Sequence, residues 1–187
     1  MRTIVVTEFI TLDGIIDSPG GGDHPHAGWT FKDVEFDEAA YELKGRESEE
    51  ATALLMGRQS YDEFAPVWPS MEEFAEYNAM PKYVVSTTLP GAQVPWGDGQ
   101  VDVLRSLDDV ASLKEGEGGD IYVPGSATLA QALAAAGLVD RYHLLTFPVL
   151  LGGGKRLFGE GDKTRLTLIE NAVYGNGITM QRYDVVR

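Results

Sequence analysis

The sequence contains no cysteine, which removes disulfides, thiolate nucleophiles, zinc ribbons and cysteine-ligated iron–sulfur clusters together. Histidine is scarce, with 3 in the chain. His24 and His26 stand two apart in a loop rich in glycine and proline, and a three-histidine metal site would have to recruit His143 as well. Solvated loop histidines are the simpler reading, and no metal is expected. Cations are in deficit too: 15 Lys and Arg against 29 Asp and Glu leave a net charge of −14, which repels a nucleic-acid backbone or an anionic membrane surface. No apolar run approaches the ~20 residues that span a bilayer. The N-terminus reaches Glu8 after Ile4-Val5-Val6-Thr7, too soon for a secretory signal. A soluble, cytoplasmic chain is expected, with neither nucleic acid nor membrane as partner.

Familiar catalytic signatures are missing as well. No G-x-G-x-x-G occurs, and Gly152-Gly153-Gly154-Lys155-Arg156 lacks both the earlier glycine and the following Ser or Thr of a P-loop. Ser60, Ser86 and Ser126 lie outside any G-x-S-x-G context, which disfavours a serine hydrolase.

What is present reads as one α/β domain over residues 1–187, with 43% hydrophobic residues and no linker-like stretch. Strand-like runs fall at 3–9, 53–56, 83–86, 101–104, 121–123 and 142–147, with helix-like segments between most of them. That alternation predicts a largely parallel sheet covered by helices on both faces. Ser106 with Asp109 approximates a capping box, and Thr128–Ala136 is an Ala/Leu-rich helix stopped by Gly137. The β-rich runs 166–169 and 178–185 flank Asn176-Gly177, which predicts a closing antiparallel hairpin.

Two strand-to-helix turns carry potential chemistry. In Leu54-Leu55-Met56-Gly57-Arg58-Gln59-Ser60-Tyr61 a glycine permits close backbone approach, a helix start offers free amides and Arg58 offers a cationic fork, a combination suited to phosphate. The alternative is a plain turn beside a solvated arginine. In Val123-Pro124-Gly125-Ser126-Ala127-Thr128-Leu129 the same design recurs, the alternative being a helix cap by Ser126 or Thr128 without any ligand. A third strand end, Val85-Ser86-Thr87-Thr88, adds hydroxyls in a comparable place. Together the three could hold a dinucleotide along the carboxyl edge of the sheet. The acidic run Asp33, Glu35, Asp37, Glu38 and Glu42 reads as a solvated helix face, with one member available as a proton relay.

In order and spacing these segments resemble the dihydrofolate reductase-like family, in the branch that holds the C-terminal reductase domain of the bifunctional riboflavin-biosynthesis deaminase-reductase. The resemblance rests on Thr11-Leu12-Asp13-Gly14, on the three strand ends above, on Gly137-Leu138-Val139-Asp140 and on Phe147-Pro148-Val149-Leu150-Leu151-Gly152-Gly153-Gly154-Lys155-Arg156. It implies a central mixed, mostly parallel sheet of about eight strands that binds NADPH. Gly57, Gln59 and Ser60 would line the phosphate path, and Arg58 would meet the adenosine 2′-phosphate. Ser86 and Thr87 would flank the adenosine, while Gly125, Ser126, Ala127 and Thr128 would wrap the pyrophosphate. Asp13 opens the loop that covers the nicotinamide in relatives, and Asp13 and Trp29 are candidate substrate contacts. Asp33, shortly after Trp29, is the candidate acid. Pro124 departs from the Gly-Gly pair common in relatives. The deaminase half is absent, since neither its cysteine ligands nor its H-x-E motif occurs.

The function so implied is NADPH-dependent reduction of a small heterocycle, most like the 5-amino-6-(5-phosphoribosylamino)uracil of riboflavin synthesis. A pterin- or folate-type reductase and a non-catalytic ligand-binding protein on the same fold are the alternatives. A homodimer built on Val149-Leu150-Leu151 is expected by the same resemblance.

Overall fold

In the computed structural model, which describes residues 1–187, a nine-stranded sheet runs in the order β4-β5-β3-β2-β6-β1-β7-β9-β8. Its strands are β1 (Ile4–Thr11), β2 (Ala51–Gly57), β3 (Lys82–Val85), β4 (Gln93–Trp96), β5 (Gly99–Leu104), β6 (Asp120–Pro124), β7 (Arg141–Phe147), β8 (Arg165–Val173) and β9 (Thr179–Val186). From β5 to β7 every neighbouring pair is parallel, and the antiparallel pairs lie at the edges, β4 with β5 and β9 with β7 and β8. This is the mixed, mostly parallel sheet with a C-terminal hairpin that the sequence predicts, with one strand more.

The additional strand, β4, escapes sequence reading because Pro95 sits in its middle. Proline lacks an amide donor and is tolerated only where no ladder bond is needed, which fits the outermost position that β4 takes. The Pro95 carbonyl is still used: it accepts a hydrogen bond from the Tyr61 hydroxyl at 2.9 Å.

Six α-helices connect the strands: α1 (Trp29–Lys32), α2 (Glu38–Glu50), α3 (Arg58–Phe64), α4 (Ala75–Ala79), α5 (Leu107–Glu115) and α6 (Ala127–Ala135). Alternation along β1 divides the core between the two sheet faces. Ile4, Val6 and Ile10 join Leu129, Ala130 and Leu133 of α6 in the larger cluster. Phe9 turns the other way, onto the cluster of Trp29, Leu43 and Phe147. The Ser106 hydroxyl accepts from the Asp109 amide while the Asp109 carboxylate accepts from the Ser106 amide, completing the capping box. α6 ends at Ala135 with Ala136 as its C-cap, and Gly137 takes a left-handed φ of 66°.

One irregularity positions everything that follows. β6 pairs with β1 only as far as Thr7↔Pro124, whereas β1 continues beside β7 to Thr11↔Phe147. The sheet therefore opens between its central strands beyond Thr7.

Replacing Ser106 by Ala should cost ~1 kcal/mol, the usual value of an N-cap. For a chain of this size the thermal midpoint should fall by about 2–4 °C, which scanning calorimetry would detect.

Candidate active site

The opening lies within a cavity of about 1820 Å³ that runs over the carboxyl ends of the parallel strands. A single small ligand ordinarily occupies about 300–1,000 Å³, so there is room here for two. All ten residues expected to bind cofactor, Gly57, Arg58, Gln59, Ser60, Ser86, Thr87, Gly125, Ser126, Ala127 and Thr128, line it.

The two glycine turns are joined by one hydroxyl. Ser126 Oγ accepts the Gly57 amide at 2.9 Å and donates to Ser60 Oγ at 2.7 Å. Ser126 takes a left-handed backbone, φ 71°, and puts no side-chain bond into α6, so neither it nor Thr128 acts as the helix cap that a ligand-free turn would use. The leading amides of a nine-residue helix are thus left to the cavity, an arrangement suited to an anion. Gly125, at φ 62°, would set a Cβ 3.3 Å from Ser60 Oγ, so glycine is needed here for both backbone and space.

Arg58 opens α3 with its Nε 2.7 Å from Asp62 and its Nη1 donating to Thr88 Oγ1 at 3.2 Å, while its side chain remains 44% exposed. Beside it, Arg105 is spent on backbone, donating to the carbonyls of Ser86 at 2.8 Å and Leu89 at 2.7 Å and also to Gly91. Ser86 Oγ accepts the amides of Thr88 and Leu89. Arg105 thereby fixes the loop on which Ser86 and Thr87 sit. It is absent from the sequence-derived site because a lone arginine after a strand carries no motif. At the mouth, Lys155 Nζ donates to Gln59 Oε1, joining the glycine-rich loop to α3.

Three candidates stand apart from the cavity lining. Asp33 is exposed at the end of α1. Trp29 is fully buried, its indole donating to the Asp17 carbonyl at 2.8 Å. Asp13 accepts from the Thr11 hydroxyl at 2.6 Å and from the Gly152 amide at 2.8 Å. Chiefly through Thr11, its carboxyl is held below the usual range, and it fastens the 11–14 turn to the glycine-rich loop. The acidic run is solvated at Asp33, Glu35, Glu38 and Glu42, and no member of it lines the cavity.

The buried acids lie elsewhere. Glu47 of α2 is fully buried and accepts from Thr7 Oγ1 at 2.7 Å and from Lys44 Nζ at 3.0 Å. His143 Nδ1 lies 2.9 Å from Glu47 Oε1. The Arg182 Nε–H, which can only donate, points at His143 Nε2 at 2.9 Å, so the ring is neutral and its proton is on Nδ1, facing Glu47. Burial pushes the Glu47 carboxyl up, but Lys44, His143 and Thr7 together hold it below its ordinary value. Burial depresses His143 despite Glu47.

Glu8, the next residue of β1 after Thr7, is 4% exposed and lines the cavity. Its Oε1 is the one buried side-chain polar atom without a hydrogen-bond partner. Burial drives this carboxyl well above the usual range, and the opposing pull of Lys44 and the Gly125 amide does not cancel it. The signal for both acids was a polar Thr7-Glu8 pair within a strand otherwise buried on both faces, since such groups require partners. Aromatic side chains also line the cavity, Phe9 with Lys44 Nζ 4.9 Å from its ring centroid. Trp68 stacks between Phe64, at 4.2 Å, and Phe74, at 4.3 Å.

Comparison with known proteins agrees with this geometry. The family model of the RibD C-terminal domain matches residues 2–180. A curated relative, the Bacillus subtilis (strain 168) protein YyaP, itself described as uncharacterized, is 27% identical over 191 residues, spanning 97% of this chain and 94% of its own. Among solved structures, a protein from Shewanella sp. PV-4 described as a candidate riboflavin biosynthesis protein is 26% identical, with a TM-score of 0.73 and full coverage of both chains. The dihydrofolate reductase of Enterococcus faecalis, solved with NADP(H) and RAB-propyl, is 14% identical with a TM-score of 0.60, covering 99% of this chain and 97% of that one. The chain belongs to the RibD C-terminal domain family and has the dihydrofolate reductase-like fold. Family and fold are those of reductases, which supports an oxidoreductase.

Two measurements test the site. Ser126→Ala leaves the Gly57 amide unpaired at a cost of about 1–3 kcal/mol, so hydrogen exchange at Gly57 should accelerate while amides of the β8–β9 hairpin stay unchanged. His143 has a depressed pKa in the fold, so the unfolded chain takes up its proton first. The stability it contributes is present above its unfolded value of about 6.5 and lost as pH falls through the folded one. The wild-type thermal midpoint should therefore drop below about pH 6.5, and His143→Gln should start lower at neutral pH and fall less over that window.

Proposed function

We propose that the protein is an NADPH-dependent reductase of a small nitrogen heterocycle. The observation that carries this reading is the single hydroxyl of Ser126 holding two glycine turns together beneath the uncapped start of α6, with Arg58 beside them. α6 and Gly125 suit a pyrophosphate, and Arg58 with Thr88 suits a terminal phosphate monoester such as the adenosine 2′-phosphate. These residues fit the dinucleotide, which when bound supplies the hydride. The protein's part is to orient the two ligands and exclude water between them.

Elsewhere in the cavity lining, the aromatic side chains Phe9, Tyr41, Trp68 and Phe74, together with Lys44, suit a flat polar ring. Membership of the RibD C-terminal domain family favours 5-amino-6-(5-phosphoribosylamino)uracil as that ring. A dihydropterin would suit the same residues, so competition between dihydrofolate and the aminouracil for turnover separates the two.

Titration of NADPH and NADH against the intrinsic fluorescence tests the cofactor assignment, with Trp68 in the cavity wall as reporter. A charged hydrogen bond contributes ~1.5–3 kcal/mol, so wild type should prefer NADPH by about one to two orders of magnitude and Arg58→Ala should lose that preference. Failure of both nucleotides to bind would remove the reductase reading.

A further inference from the structure

We propose that the Glu8 carboxyl is the acid that protonates the substrate nitrogen when the neighbouring carbon of a C=N bond is reduced. The inference rests on the reductase reading and adds to it a catalytic residue for that reaction.

Elimination and position both point to Glu8. The other acids lining the cavity are engaged or outside its floor. Glu47 is held by Thr7, Lys44 and His143, Asp62 by Arg58 and Glu63 by Gln59. Asp17 accepts from Ser18 and from the Lys155 amide, and Glu73 is exposed. Tyr41 and Tyr77 are both raised by burial, which makes them weaker acids still. Glu8 alone combines burial, a position in the cavity wall and a carboxyl oxygen that nothing in the protein satisfies. A buried polar atom without a partner is costly, and such an atom facing a ligand cavity is explained by a partner that arrives with the ligand.

Glu8 follows Thr7, the last residue of β1 that pairs with β6, so it stands where the sheet opens. The groups that act on it electrostatically are Lys44 and Glu47 of α2 and the amide of Gly125 after β6. Burial outweighs the cation and the amide, and the carboxyl keeps its proton to higher pH than an ordinary glutamate would. A carboxyl that holds its proton to higher pH through burial is suited to general acid catalysis.

A dihydronicotinamide, when bound, would supply a hydride, and with it two electrons, to the carbon of the C=N group. The π pair moves to nitrogen, which takes the proton of Glu8 as its O–H bond breaks. The amine, the oxidised nicotinamide and a Glu8 carboxylate result, and water at the cavity mouth restores the proton.

The experiment compares wild type with Glu8→Gln and Glu8→Asp. Without ligands, the infrared difference between wild type and Glu8→Gln should contain the carbonyl stretch of a protonated carboxyl at neutral pH. All three proteins should bind NADPH within about twofold of one another, and Glu8→Gln should unfold no earlier than wild type. With the phosphoribosylaminouracil or dihydrofolate as probe, Glu8→Gln should lose about 100-fold or more in kcat, the usual scale of a general acid, and Glu8→Asp should recover part of it. Wild-type kcat should fall as pH rises through the Glu8 pKa, and the residual rate of Glu8→Gln should lack that limb. An ionised Glu8 at neutral pH, a Glu8→Gln rate within about threefold of wild type, or a wild type that binds NADPH and reduces neither probe would each overturn the proposal. Absence of NADPH binding by wild type would instead overturn the reductase reading beneath it, a separate result because it is obtained before any probe is added.

Discussion

The early separation of β6 from β1 governs the rest of the molecule. A parallel sheet covered by helices normally buries its central strands completely, and Ile4, Val5 and Val6 follow that rule at 0% exposure. Beyond Thr7 the ladder on one side ends, and the chain must satisfy a stretch of central strand with something other than backbone. α2 supplies Lys44 and Glu47 on one side, and the turn after β6 supplies Gly125 and Ser126 on the other. The cavity is the space that those substitutes leave unfilled.

Polar groups around the opening are arranged in two contrasting ways. The chain from Lys44 through Thr7, Glu47 and His143 to Arg182 is closed, each member meeting a complementary donor or acceptor. Such a network orders β1, β7, β9 and α2 relative to one another more than it adds net stability, because desolvation offsets much of the attraction. Glu8 is adjacent in sequence and open in its bonding. The closed network at Thr7 and the unmet demand at Glu8 adjoin where the β1–β6 ladder ends, with Lys44 acting on both.

The sheet, the hairpin and both glycine turns were legible in the sequence because each rests on local chemistry. Asn176-Gly177 marks a reversal, Gly137 ends a helix, and Ser106 with Asp109 begins one. β4 was hidden because Pro95 argues against a strand wherever its neighbours are unknown, and only the position of β4 at the sheet edge resolves the conflict. The partners of Ser126 were hidden for a related reason: Gly57 and Ser60, which its hydroxyl joins, are remote in sequence. Lys44, Glu47, His143 and Arg105 likewise become meaningful only through long-range contacts. Asp33 drew attention through its place in the chain order, but α1 carries it to the surface.

The contact between Lys155 and Gln59 spans the mouth of the cavity with two long side chains rather than with backbone. Opening such a closure exchanges rotamers and leaves the strands in register, so admission of a large ligand need not draw on the folding free energy. Each residue stands on a different wall, Lys155 on the glycine-rich loop that Asp13 anchors and Gln59 on the first turn of α3. The doorway is therefore adjustable at its tips and stiff at its posts, and the width of what passes is set by side-chain reach.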